Sequence, residues 1–156
     1  MSEIFVDADG CPVKEEVCRV AERYGLRVTL VANSWLRIPE AEWLTLVVVG
    51  DGFDAADDWI VEHVSQNDIV ISGDIPLAAR CLKKGARVLG LKGREFTDAS
   101  IGDALAGREL SSQLRDSGIM TGGPAPFGQR DRSRFLQRLD ALVHEVLPPD
   151  NRIRKS

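Results

Sequence analysis

Asp68-Ile-Val-Ile-Ser-Gly-Asp-Ile-Pro-Leu-Ala78 is the stretch on which the fold turns. Asp68 to Ser72 carries a continuous β-branched run, the pattern of a strand covered on both faces in a parallel sheet. Ser-Gly-Asp then breaks the run, and Ile75-Pro76 opens a helix over 75–84 with Gly85 as its stop. The same unit recurs along the chain. Further strands are expected at Ile4 to Val6, Arg27 to Val31, Leu44 to Val49 and Arg87 to Leu91, with helices over 12–24 and 54–65. Pro12 suits a first helical position and Gly25 a C-terminal stop. Strand–helix alternation of this kind predicts an α/β domain built on one doubly wound parallel sheet of about five strands, for which the order 3-2-1-4-5 is the arrangement considered. The link from Ala32 to Trp43, with Pro39 and two Trp, offers no clean crossover helix.

Beyond the fifth strand the character changes. Ser100 to Ser117 reads as helical with an interruption near Gly107, and Thr121-Gly-Gly-Pro-Ala-Pro-Phe127 as a turn-rich loop. From Asp131 to Leu147, Phe135, Leu136, Leu139, Leu142, Val143, Val146 and Leu147 recur at helical spacing and call for a core to face. The division expected is a single domain over 1–150, with additional C-terminal helices on the sheet, and a basic tail over 151–156.

The 156 residues, 44 % hydrophobic and 28 % charged, suit one soluble globular domain and exclude disorder, collagen and coiled coil. Apolar runs such as Leu46 to Val49 are too short to span a bilayer, so no membrane partner is expected. No charged-then-apolar leader opens the chain, and Cys11, Cys18 and Cys81 lack zinc-ligand spacing. Both features predict a cytoplasmic protein with free thiols. The net charge of −4 conceals an asymmetry. Residues 1–78 hold 5 Lys+Arg against 15 Asp+Glu, and residues 79–156 hold 15 against 9. An acidic site in one half and an anion-attracting surface in the other would produce that division; so would solvated faces of opposite sign.

In open α/β sheets ligands bind beyond the carboxyl ends of strands, where strand order reverses. Asp7 and Asp9 follow the first strand, Asp51 the third and Asp74 the fourth. With strands one and four adjacent, Asp7, Asp9 and Asp74 converge, and the helix opening at Asp54 can add Asp57 or Asp58 from the side. Two carboxylates about 5 Å apart repel by about 3 kcal/mol at an effective dielectric near 20. A cluster therefore takes up protons or holds a cation, and an all-oxygen set suits Mg2+ or Mn2+. Each Asp also has a plainer reading: Asp74 as a helix cap, and Asp54, Asp57 and Asp58 as first-turn residues favoured by the helix dipole.

Val6-Asp-Ala-Asp-Gly-Cys-Pro-Val-Lys14, Asp54-Ala-Ala-Asp-Asp-Trp-Ile60, Asp68 to Ala78, and Thr121 to Phe127 with Asp131-Arg132 resemble the signature blocks of the YaiI/YqxD family of uncharacterised bacterial proteins. The resemblance runs from about residue 3 to residue 147. It implies a PIN-like fold, related to metal-dependent nucleases. It further implies that Asp7 is the carboxylate ending strand one, Asp57 the helix acid and Asp74 the acid after strand four, with Asp9 as a fourth ligand. The expected activity is hydrolysis of a nucleic-acid phosphodiester, RNA in preference to DNA, with Mg2+ or Mn2+ held by Asp7, Asp9, Asp57 and Asp74 and with Asp54 and Asp58 in reserve.

Lys14, Arg80 and the group Arg130, Arg132 and Arg134 are the candidates for contact with nucleic acid, whose phosphates attract such side chains. A solvated helix face is the plainer account of Lys14 and Arg80, and pairing with nearby acids would account for the three arginines. Ser72 either orients a group at the site or ends a strand. Cys11 and His63 read as packing residues, and two distant His give zinc catalysis no footing. Three alternatives remain open. Phe5-Val-Asp-Ala-Asp-Gly10 and Gly50-Asp-Gly-Phe-Asp54 resemble motifs of haloacid-dehalogenase-like phosphatases, although Ser72 and Lys92 follow the late acidic motif where that family places their counterparts before it. A receiver-like phosphoacceptor would use Asp51, Ser72 and Lys92 and leave the blocks around Asp57 and Asp74 idle. The other class is a non-catalytic RNA-binding or interaction module.

Overall fold

In a computed structural model of the chain, residues 2–50, 55–102 and 127–147 are described. Alternate residues of each apolar run enter two separate cores, which is why the runs are continuous. Ile4, Val6, Ile69, Ile71 and Leu89 face one core, and Phe5, Val70 and Val88 face the other. The strands are β1 (Glu3–Asp7), β2 (Arg27–Ala32), β3 (Leu44–Val48), β4 (Ile69–Ile71), β5 (Arg87–Leu89) and β6 (Glu95–Phe96). They form one sheet in the order β3-β2-β1-β4-β5-β6. The first five are parallel as expected, and β6 adds an antiparallel strand at the edge. Two residues are too few for a period-2 signal, and β6 forms because the turn between it and β5 contains Gly93 at φ +92°.

Helix α1 (Lys14–Tyr24) and helix α5 (Gln129–Val146) cover the first face. Val17, Val20 and Ala21 of α1 meet Phe135, Leu139, Leu142 and Val143 of α5 over Ile4 and Val6. Arg23 and Asp140 pair across this contact at 2.9 Å. On the second face, α2 (Ala55–His63) buries Ala56 and Ile60, and α3 (Ile75–Lys83) buries Leu77, Ala78 and Cys81. A further helical stretch, α4, occupies residues 98–102.

Helix ends follow local chemistry. Asp74 caps α3 by accepting the Leu77 N–H at 3.0 Å. Gly25 takes the left-handed conformation, φ 70°, that closes α1. Asp131 reaches back to the Gly128 N–H at 3.0 Å and opens α5. Pro12 lies outside α1, which starts at Lys14 after Val13. The link from β2 to β3 contains no helix among residues 33–43; Leu36, Ile38, Ala41 and Trp43 pack on the core instead. The expected helix beyond residue 102, most of the loop over 121–127, and the tail over 151–156 lie outside the described residues.

Candidate functional site

The register of the central strands builds the site. Val6 pairs with Ile71, so Asp7 and Ser72 emerge side by side at the carboxyl ends of β1 and β4. The Ser72 hydroxyl, 1 % exposed, donates to Asp7 Oδ2 at 3.1 Å and accepts the Asp74 N–H at 2.9 Å. One hydroxyl thus ties two strand ends and the start of α3 together. Asp9, two residues past β1, accepts the Asn33 N–H at 2.8 Å, which anchors it to the end of β2.

Three of the expected carboxylates therefore share this edge of the sheet: Asp7, Asp9 and Asp74. Their electrostatics agree with the geometry. Burial holds the Asp7 carboxyl above its ordinary value, and the negative charges of Asp74 and Asp9 push in the same direction, while the Ser72 hydrogen bond works against them. Asp7 is half-buried, and Asp9 is exposed. Asp74 spends one oxygen on its cap to α3.

The helix acids have separate surroundings. Asp57, half-buried in the first turn of α2, places its charge near Cys81 of α3. Asp58 forms an exposed ion pair with Arg80 at 2.9 Å. Asp51 and Asp54 lie outside the described residues. Among the described residues, no three His, Cys, Asp or Glu side chains are grouped closely enough to hold a metal ion as they stand.

The expected cationic contacts divide likewise. Lys14 Nζ lies 3.4 Å from the Ala8 carbonyl, within the loop that carries Asp7 and Asp9. Arg132 turns inward, donating to the Pro12 carbonyl at 2.6 Å, lying 3.5 Å from Glu16 and covering the Phe127 ring at 5.1 Å. It is a clamp between α1 and α5. Lys14 and Arg132 line a groove of about 480 Å3 between those helices together with Glu15 and Glu16, so its charge is mixed. Arg134 keeps a loose 3.9 Å contact with Asp131, and Arg130 is exposed at the start of α5. Cys11 is buried and its thiol is pushed up by burial; the Cys81 thiol is pushed up to about 11 for the same reason. Burial thus disfavours the thiolate at both positions. His63 stacks on Trp59 at 3.7 Å. Asp68 sits at the other end of β4, where it accepts the Glu3 and Ser65 N–H groups at 2.9 Å each and ties the base of the sheet.

Asn33 and the Lys92–Arg94 turn escaped the sequence reading. Asn33 contributes through its backbone, which no residue type announces. Gly93 between two cations was the legible signal for the turn.

No helix among the described residues is long and apolar enough to cross a membrane. The chain is 55 % identical over 146 residues to a UPF0178 protein of Paramagnetospirillum magneticum, covering 94 % of this chain and 97 % of that one. It is 57 % identical over 150 residues to a UPF0178 protein of Rhodospirillum centenum, with the same two coverages. A Bradyrhizobium relative, also a UPF0178 protein, is 52 % identical over 143 residues, covering 92 % of this chain and 87 % of that one. The profile of the family described as uncharacterised BCR, YaiI/YqxD, matches residues 5–145, so the chain belongs to the YaiI/YqxD family.

Proposed function

We propose that the protein is a divalent-metal-dependent nuclease of PIN-like type, hydrolysing nucleic-acid phosphodiesters with RNA preferred. The observation that carries this reading is the Ser72 hydroxyl joining Asp7 to the Asp74 N–H at adjacent strand ends, with Asp9 close enough that its charge and that of Asp74 help hold the Asp7 carboxyl above its ordinary value. An accumulation of carboxylate charge at the switch point of a parallel sheet is stabilised by a hard cation, and oxygen donors favour Mg2+ or Mn2+. Asp7, Asp9 and Asp74 would hold it, with Asp57 from α2 as the further ligand. When bound, such a cation supplies neutralisation of phosphate charge and activation of water. The chain's own contribution is positional. Ser72 orients Asp7, Asn33 orients Asp9, and the cap to Leu77 fixes Asp74, leaving the second oxygen of each carboxylate for the ligand.

A specific observation favours a second reading. Because the described residues gather no three ligands into one set, a non-catalytic RNA-binding module is the competing function. Calorimetric titration of Mn2+ into the wild type and Asp74→Asn, followed by cleavage of single-stranded RNA with and without Mn2+, separates the two. The nuclease reading expects Mn2+ binding and cleavage, both lost in a folded Asp74→Asn. Undiminished cleavage in that variant overturns the site, and RNA binding without any Mn2+ response establishes the module.

A further inference from the structure

Trp35 is 72 % exposed, an unusual placement for the side chain with the most apolar surface to bury. It lies three residues past β2, on the edge of the sheet that carries the carboxylates. Asn33, whose N–H holds Asp9, is two residues away, so the Trp35 backbone lies within about 7 Å of it. Its neighbours Leu36 and Ile38 pack onto the core, while Asn33, Ser34 and Arg37 are exposed. Val48, paired with Ala32 at the end of β3, is the other exposed large apolar side chain among the described residues, and two such side chains among polar neighbours fall short of the contiguous apolar face that a second protein chain would cover.

On the other side of the acidic centre, the loop holding Ser72 and Asp74 touches the turn after β5. A Cβ on Gly73 would sit 3.5 Å from Leu91. Lys92, Gly93 and Arg94 follow. The turn is closed by Gly93 N–H donating to the Gly90 carbonyl at 3.1 Å and Gly90 N–H donating to the Arg94 carbonyl at 2.7 Å. Gly93 packs so closely on α5 that a Cβ there would lie 3.0 Å from Arg134 Cγ and 3.1 Å from its backbone. This contact sets Arg134, whose guanidinium lies 3.9 Å from Asp131, beside the turn that carries Lys92 and Arg94, with Arg130 one turn earlier on α5. Arg94 is exposed and its guanidinium lies 6.0 Å from the Phe96 ring.

We propose that Trp35 and the Lys92–Arg94 turn beside Arg134 are two anchors for one nucleic-acid strand, a base stacking on the indole and a backbone phosphate resting on the cations, with the acidic centre between them. The inference rests on the nucleic-acid reading above and adds the residues that position the strand. The ends of β2, β1, β4 and β5 separate the anchors by three strand spacings, about 14 Å. Stacking needs an unpaired base face, which a duplex conceals, so the substrate is single-stranded at this point.

The test is anisotropy of a labelled single-stranded oligoribonucleotide at low salt, in EDTA and in Ca2+, with its annealed duplex as comparison. The single strand is expected to bind better than the duplex. Trp35→Ala, at an exposed position that leaves the fold intact by circular dichroism, is expected to weaken it about tenfold, with Trp35→Phe restoring most of the loss. Lys92→Ala with Arg94→Ala is expected to lower the slope of log affinity on log salt by about 1.4, about 0.7 for each cation on a single strand. Wild-type affinity in Trp35→Ala overturns the proposal, as does absence of binding by the wild type in both buffers. A change of oligomeric state in Trp35→Ala with RNA binding unchanged also overturns it. Trp35-dependent binding without Mn2+-dependent cleavage supports the anchors and refutes the nuclease, whereas cleavage and binding indifferent to Trp35 do the reverse.

Discussion

The Ser72 hydroxyl donates to Asp7 Oδ2 at 3.1 Å, joining the ends of two adjacent strands whose residues are 65 positions apart in the chain. That bond is the counterweight to the two forces raising the Asp7 carboxyl, burial and neighbouring negative charge.

Ser72→Ala should therefore destabilise the protein by about 1–3 kcal/mol, because a half-buried carboxylate and the Asp74 N–H each lose a partner. Urea unfolding at neutral pH checks this, and the loss should shrink when the pH is lowered enough to protonate Asp7.

The sign for Asp7 follows from linkage. Its folded value lies above the ordinary 3.8, so between those two values the native state binds more protons than the unfolded state, and this group's contribution to stability falls as pH rises. Asp7→Asn keeps an acceptor for Ser72 and removes the charge. It should raise the thermal midpoint at pH 7 and flatten the pH dependence in that window, as read by melts across mildly acidic to neutral pH. A lower midpoint for Asp7→Asn at pH 7 would refute the electrostatic account.

Asp74 serves both as a cap and as part of the acidic centre, and two substitutions separate the roles. Asn is as good a cap as Asp, so Asp74→Asn should unfold close to the wild type, whereas Asp74→Ala should lose about 1 kcal/mol. Both should lose any rise in thermal midpoint that Mn2+ gives the wild type. Equal stability of the two variants would show that the cap contributes nothing.

Gly93→Ala combines a left-handed backbone at φ +92° with a Cβ at 3.0–3.1 Å from Arg134. A cost of about 1–3 kcal/mol in urea unfolding is expected, since neither the turn nor the α5 backbone can yield cheaply.

Arg132→Ala should act on structure more than on RNA binding. It removes the 2.6 Å bond to the Pro12 carbonyl and the cover over Phe127. A lowered thermal midpoint with an unchanged salt slope of RNA binding is the expected pair of results; a reduced slope would return Arg132 to the nucleic-acid surface.

What the residues determined alone was the parallel sheet and the strand ends that bear the acids. Two-sided burial of short runs such as Ile69–Ile71 leaves a pattern that adjacent residues display directly, and Asp7, Asp9 and Asp74 follow strands that had to be parallel. Helix α5 was equally legible, because Phe135, Leu139, Leu142 and Val143 mark one stripe. Tertiary structure alone decided which charges are committed elsewhere. Nothing local distinguishes Arg132, folded inward on Pro12, from Arg130, or marks Asp58 as the partner of Arg80. Ion pairs and carbonyl contacts form between segments brought together by packing, and their partners lie tens of residues away. The same holds for Asn33 against Asp9 and for Gly93 against Arg134. Burial pattern is written in neighbouring residues, whereas the company a polar side chain keeps is set by the crossing of elements distant in sequence.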